Sequence, residues 1–439
     1  MPSGSKNVFS GTGISKNDDP FLAGKEAVEQ AIEACGQAPE FGIVFCSGGK
    51  YGQEHDTMQK LVDGAHEAFT KANHNCRWIG CTSAGEISSA GFSKNSCVAM
   101  ALKSDYFKFG IGIGDYVEKN PAEATKKAFQ EATENLKIDR YVDAYMQFLT
   151  MKMQSTEELI KYSPYHLITL CPGPTMKPGS EDKIVSSLRK LAGPTVPITG
   201  GSSADDLIMN SNYTFANGKI YRDALILTAI ISNVKMATSA ESGFMPSKKT
   251  FVVTSCEGRI IHELNNQPAA QVLAEAYGST VEELSQPAMG NLQKCFFLNS
   301  KNPLMIVQGP GVYRVAVFHA IKGNSVIIGS GVTENTAITI GEGSNETIIE
   351  SASTAMKSVR EMVHDNLGAA IVFDCDLRLM TLQDNIIEEN KKILDAIGDT
   401  PVIGFFTNGE QCFLGDSSAC HVNYTITAIG ISNNVMSKK

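Results

Sequence analysis

The sequence predicts a layered α/β (α+β) protein, built from internally repeated helix-strand-helix-strand units on mixed sheets and grouped in two related domains. Three observations carry that prediction. One loop pattern occurs three times without a gap, each copy follows an apolar run that reaches a cysteine, and helix-period and strand-period segments alternate around every copy.

The loops are Gly80-Cys81-Thr82-Ser83-Ala84-Gly85-Glu86, Gly200-Gly201-Ser202-Ser203-Ala204-Asp205-Asp206 and Gly404-Phe405-Phe406-Thr407-Asn408-Gly409-Glu410. Each has Gly first, a hydroxyl fourth and a carboxylate seventh. The apolar runs before them, "FGIVFCSGG", "YHLITLCPGP" and "AAIVFDCDLR", lead to Cys46, Cys171 and Cys375.

Helices are expected before each cysteine strand, around 20–36, 120–136 and 346–366. Between cysteine and loop, helix spacing recurs in Met58, Leu61, Val62, Ala65 and Phe69, in Ile184, Val185, Leu188 and Leu191, and in Ile386, Ile387, Ile393, Leu394 and Ile397. After the loops the period changes to that of strands. "CVAMALK" and "FKFGIGIG" follow the first, with Phe107, Phe109, Ile111 and Ile113 on one face; "ALILTAII" and "NYTITAIGI" follow the others. Residues 250–335 read as a diverged fourth unit, with a hairpin in "FVVTSCEGRIIHEL" turning at Glu257-Gly258 and a helix after "NNQPAAQVL". Two units on each side of the Gly/Pro/Ser break in "AESGFMPSKK" place the domains at 1–240 and 241–439.

At 439 residues the chain is too long for one ordinary domain. Its 42% hydrophobic and 19% charged residues are a globular balance. Lys and Arg number 38 against 47 Asp and Glu, with no basic cluster, which argues against nucleic acid or an acidic membrane as partner. No apolar run reaches the roughly 18 residues of a membrane span, and "MPSGSKNVFSGTG" has no signal-peptide core, so a soluble cytoplasmic protein is expected. The 11 cysteines include no C-x-x-C pair and suit reduced, partly buried thiols.

A strand end followed by Gly, small residues and a hydroxyl presents free backbone N–H groups, which suit a carboxylate. The closing acid of each loop could take an ammonium, so Gly80, Cys81, Thr82, Ser83, Gly85 and Glu86, with Gly201, Ser202, Ser203, Asp205 and Asp206, and Thr407, Asn408, Gly409 and Glu410, are candidate ligand-binding residues. The alternative is that the glycines make turns and the acids bond the following segment. Asp374-Cys375-Asp376-Leu377-Arg378 adds Cys375 and Arg378 as candidates, the guanidinium clamping a ligand carboxylate or lowering the thiol pKa; the alternative is an Asp–Arg pair that fixes the loop.

Other chemistries fit less well. "CSGGKYG" has Val44 where a P-loop needs its first Gly, and Cys81 stands where a Gly-x-Ser-x-Gly elbow needs Gly. Cys412, Cys420 and His421 lack zinc-finger spacing, so no metal site is expected.

"VFCSGG", "WIGCTSAGEI" and "ITGGSSADDL", then "FVVTSCEGRIIHELNNQPAAQVL", "AAIVFDCDLR", "PVIGFFTNGEQC" and "NYTITAIGI", occur in the order found in the FIST family, and the chain resembles that family over roughly residues 25–432. The resemblance implies a sensory module of intracellular signal transduction that binds a small polar ligand, with amino acids the proposed class, in a cleft between its two halves. Family members often carry a fused output segment, for which the short N-terminus leaves no room, so a separate signalling protein is the expected partner. Some relatives are regarded as haem-binding nitric-oxide sensors, but no motif here places an axial ligand. Beside the sensor stand a cysteine-dependent enzyme using Cys375 or Cys81 with Glu86 or Glu410, and an adaptor with no small ligand.

Overall fold

The computed structural model describes residues 6–134, 136, 142, 151, 165–174, 179–193, 195–364, 366–414 and 418–435. Each copy of the repeated loop ends the fourth strand of a six-stranded sheet, and the three sheets share one strand order. Sheet I runs Phe9–Ser15, Cys97–Lys103, Phe41–Ser47, Arg77–Ser83, Thr214–Ala216, Lys219–Tyr221. Sheet II runs Phe107–Asp115, Ala224–Ser232, His166–Cys171, Ile198–Ser202, Glu410–Leu414, Ser418–Val422. Sheet III runs Val234–Glu241, Ile426–Val435, Leu367–Cys375, Val402–Thr407, Glu86–Ser88, Gly91–Ser93.

In every sheet the cysteine strand and the loop strand are parallel, and the remaining pairs are antiparallel. A parallel pair needs a crossover, and the expected helices supply it: His55–Ala72, Glu181–Ala192 and Ile386–Ile397. Pro20–Cys35, Pro121–Glu134 and Asn345–Met362 are the helices that precede the cysteine strands; residue 135, inside the expected second helix, lies outside the described residues. Local chemistry sets their ends. Asp19 accepts a hydrogen bond from the Leu22 N–H ahead of Pro20, Gly36 closes the same helix at φ 68°, and Ser344 and Thr347 form a reciprocal capping box.

The inner faces of the three sheets meet in one core that includes Phe45, Ile79 and Met100 of sheet I, Leu170 and Ile226 of sheet II, and Phe373, Phe405 and Ile429 of sheet III. The outer faces are covered by helices, with Met58, Leu61 and Phe69 on sheet I, Ile184 and Leu188 on sheet II, and Ile348, Met356 and Ile393 on sheet III. Each such side chain contributes about 1.5–3 kcal/mol by leaving water. Phe107, Phe109, Ile111 and Ile113 share the inner face as the alternation predicts. Leu191 and Ile387 depart from the helix pattern, being 39% and 66% exposed.

What periodicity does not reveal is an exchange. The last two strands of each sheet come from another unit: 86–93 follows the sheet I loop yet pairs in sheet III, 214–221 follows the sheet II loop and pairs in sheet I, and 410–422 follows the sheet III loop and pairs in sheet II. The exchange closes a ring.

Residues 245–342 form a fourth sheet, inserted between Val234–Glu241 and the helix Asn345–Met362. Its strands, among them Met245–Glu257, Ile260–Leu264, Leu304–Gly309 and Ala337–Glu342, pair antiparallel around a separate core of Val253, Leu273 and Phe318. The expected hairpin is present, but Glu257 still pairs with Ile260 in the ladder, so the turn is Gly258-Arg259, one residue later than expected; the expected helix is Ala269–Ala276. This segment is not built on the plan of the other three, because all its strand pairs are antiparallel and it has no parallel pair for a crossover helix to join.

Candidate functional site

Each loop must end one strand and send the chain into a neighbouring sheet, and backbone hydrogen bonds between equivalent positions accomplish this. Ala84 N–H donates to Phe406 O at 3.0 Å, Ala204 N–H to Thr82 O at 3.0 Å, and Asn408 N–H to Ser202 O at 3.1 Å. The fifth residue of every loop thus donates to the third residue of the next, closing a pseudo-threefold ring. Phe406 N–H to Gly85 O and Ser202 N–H to Gly409 O, both at 2.9 Å, reinforce two of the three junctions.

The recurring hydroxyl and carboxylate bond each other in two copies. In the first, Ser83 Oγ donates to Glu86 Oε1 at 2.5 Å, and Ser96 donates its N–H and its hydroxyl to Oε2 at 3.1 and 2.5 Å. In the third, the Thr407 hydroxyl donates to Glu410, whose Oε2 accepts the Thr425 N–H at 3.2 Å. Ser96 and Thr425 each stand just before the strand that returns to the sheet. Both glutamates are fully buried. Burial pushes Glu86 up to about 8, against the pull of its hydroxyl donors, and raises Glu410 well above the usual carboxylate range.

The second copy departs from this. Ser203 Oγ accepts the Gly173 N–H at 2.8 Å, and buried Asp205 takes the N–H groups of Met209, Asn210 and Ser211 at 2.7–2.9 Å. The seventh residue, Asp206, crosses to sheet I, where its Oδ2 accepts from Ser47 Oγ at 3.1 Å and Gly49 N–H at 2.9 Å.

The second loop position, Cys81, Gly201 or Phe405, points into the shared core. Phe405 packs 4.4 Å from Phe45, ring to ring, and a Cβ on Gly201 would lie 2.5 Å from Thr407 Cγ2 and 3.0 Å from Phe405 Cζ. A large side chain in one copy is accommodated by the absence of one in another. Cys81 is fully buried there, its thiol pushed well up by burial.

Cys375 is also buried, with its thiol raised rather than lowered. Arg378 is 0% exposed and committed: Nε pairs with Asp374 Oδ1 at 2.8 Å, Nη1 donates to Ser242 O and Ser351 Oγ at 3.2 Å, and Nη2 to Ile348 O at 2.9 Å and to Glu389. This is the arrangement of an Asp–Arg pair that fixes the loop. Gly80 and Thr82 lie within sheet I, where Thr82 Oγ1 accepts the Tyr213 N–H at 3.1 Å.

At the rim of the ring lies a cavity of about 430 Å³. Ala84, Phe92 and Lys94 line it from the first unit, Asp206 and Leu207 from the second, and Asp376, Leu379, Met380, Gln383, Asp384, Ile386 and Ile387 from the third. Asp376 is 4% exposed, and its Oδ2 has no hydrogen-bond partner. Burial first, then the charges of Asp205 and Asp206, push its carboxyl up to about 8. An acidic, apolar-walled space holding one unsatisfied carboxyl would take a cationic group. Of the candidates read from sequence, Asp206 alone is among these lining residues. Lys94, Asp376 and the segment 379–387 were not among the candidates; the available signal was an acid at the end of the apolar "AAIVFDC" run.

Haem does not fit this cavity. Haem iron takes a proximal His, Cys or Tyr, and the walls offer Met380 but none of these. Among the described residues no group of three His, Cys, Asp or Glu could hold a metal ion, and no helix is long and apolar enough to cross a membrane.

An uncharacterized protein of Methanocaldococcus jannaschii is 21% identical over 403 residues, covering 86% of this chain and 71% of its own. Among solved structures, a cyanuric acid hydrolase aligns over 97% of this chain and 100% of its own at 8% identity and TM-score 0.36. The cyanuric acid hydrolase of A. caulinodans aligns over 52% and 72% at 9% identity and TM-score 0.26. Likenesses this loose carry over no activity. The FIST N domain model matches residues 40–267 and the FIST C domain model residues 269–413. With both matched in order along nearly the whole body, the chain belongs to the FIST family, whose domains are associated with signal-transduction sensing.

Proposed function

We propose that the protein is a small-molecule sensor that binds an amino-acid-class ligand in the cavity at the rim of the loop ring and passes the change to a separate signalling protein. The supporting observation is the Asp376 carboxyl, 4% exposed and one oxygen short of a partner, in a cavity lined from both family-matched halves. An ammonium placed there satisfies that oxygen and the neighbouring acids together. Exposed Lys94 on the same wall suits the ligand carboxylate, and Phe92, Leu379 and Met380 suit an apolar side chain.

Signalling requires that the ligand hold one conformation more tightly than another. The three elements around the cavity belong to three units whose loops are hydrogen-bonded to one another, so a ligand drawing them together alters the ring.

Isothermal titration against the amino acids tests the reading. Binding at pH 7 should release a proton, because an ammonium lowers the pKa of Asp376, and Asp376→Asn should abolish it. No binding by any amino acid, or binding that Asp376→Asn leaves intact, would sink the proposal.

A further inference from the structure

Two pairs of cysteines stand directly opposite each other on antiparallel strands, Cys46 with Cys97 in sheet I and Cys412 with Cys420 in sheet II. Residues so placed have Cα atoms about 4.5–5.5 Å apart, inside the roughly 4.4–6.8 Å that a disulfide spans. The first pair is sealed, both residues being 0% exposed. The second is not: Cys420 is partly exposed on the edge strand Ser418–Val422 and lines a cavity of about 480 Å³ between the helix Glu181–Ala192 and the fourth sheet.

Arg189 and Arg314 line that cavity, with Ser186 and Thr333 beside them and Asp182 as its acid. Arg259 engages Asp182 at 2.8 Å, and Gly331 N–H donates to the same oxygen at 2.9 Å, so much of that negative charge is already met. Arg314 is 8% exposed, and its Nε has no hydrogen-bond partner. The Cys420 thiol is held below its usual range, first by its hydrogen bond with Cys412 and then by Arg314 and Arg189. Burial raises the thiols of Cys76 and Cys256 instead, although they are partly exposed as Cys420 is.

We propose that Cys412 and Cys420 are a site of reversible thiol–disulfide exchange with a small anionic disulfide that enters this cavity. The Cys420 thiolate attacks one sulfur of the disulfide RSSR, forming a mixed disulfide and releasing RS⁻. Cys412 then loses its proton and attacks Cys420 Sγ, releasing the second RS⁻, which is protonated. In sum the protein gives up two thiol protons and two electrons, and RSSR takes up both, each released RS⁻ gaining one proton, to become two RSH. Arg189 and Arg314 supply the charge that favours an anionic disulfide over a cationic one.

The full chain is incubated with oxidised glutathione, whose carboxylates make it anionic, or with cationic cystamine, then alkylated and analysed by intact mass and peptide mapping. The wild type should lose two free thiols with no retained adduct, both in the peptide pair carrying Cys412 and Cys420. Cys412→Ser should stop at a single adduct on Cys420, and Cys420→Ser should gain none at either position. Arg189→Ala should slow glutathione disulfide several-fold and by a larger factor than cystamine, because it removes the anion's charge partner as well as part of the pull on the thiol. A cross-link between Cys46 and Cys97, or adducts on Cys76 or Cys256 while Cys412 and Cys420 stay free, would overturn the site. Equal slowing of both reagents would overturn the ligand class.

Discussion

Glu86→Gln isolates the cost of closing the loop ring with a buried acid. In the folded chain Glu86 holds its proton until about pH 8, whereas the unfolded chain releases it near the ordinary 4.5. Between those values unfolding releases a proton, so this group's contribution is intact below pH 4.5 and is lost as pH rises to 8. The displacement from 4.5 to about 8 corresponds to a loss on the order of 5 kcal/mol. Asp206 adds to it by repulsion, while Cys46 and Cys97 are uncharged across the window because burial raises their thiols. Glutamine keeps the shape: its carbonyl can accept from Ser96, its amide can donate to Ser83 Oγ, and nothing ionises. Urea unfolding of both proteins from pH 4.5 to 8.5 should show the variant gaining on the wild type by up to about 5 kcal/mol across the range. A difference that stays constant with pH would refute the reasoning.

Gly201→Ala should destabilise by about 1–3 kcal/mol, since its Cβ meets Thr407 and Phe405; in urea unfolding, adding Phe405→Leu should recover part of that loss, and strict additivity would count against the packing account. Arg378→Met should cost about 3–5 kcal/mol by leaving Asp374 and Glu389 buried without their cation; a thermal melt showing no loss would contradict the assigned ion pairs. Ser344→Ala removes one half of the capping box and should cost about 1 kcal/mol in urea unfolding. Raising the pH of ligand titrations from 6 to 9 should reduce proton release towards zero, because Asp376 is already ionised above about 8.

Local features were legible because they depend on local sequence. The helix faces of Met58, Leu61, Val62, Ala65 and Phe69 and the alternation of Phe107 to Ile113 follow from period alone, and both lie where expected. Ile387 broke the pattern because its position borders a cavity rather than a core. The exchange of hairpins was not legible: 86–93 pairs with Val402–Thr407, more than three hundred residues away, and no local signal names a strand's partner. The loop repeat announced a recurring hydroxyl and acid, which the fold joins by a hydrogen bond in two copies. It did not reveal that the second copy reassigns that work, because Asp205 and Asp206 are the same residue type and only their surroundings separate a turn-former from a cavity wall.

The symmetry of the ring also says where a ligand site is to be sought. Polar groups that recur in equivalent positions satisfy one another, as Ser83 does Glu86 and Thr407 does Glu410, and a satisfied group has little to offer a ligand. Binding capacity therefore belongs where the copies differ. The second loop sends Asp206 outward, and the third cysteine strand is followed by Asp376 where the first has Ser47 and the second Pro172. Ser47 uses its hydroxyl to bond Asp206 and the Lys50 N–H, and Pro172 has no polar side chain. Asp376 alone of the three brings a carboxyl whose second oxygen the fold leaves without a partner. The proposed ligand site thus stands at the departure from the repeat, while the repeat itself supplies the rigid ring against which it is held.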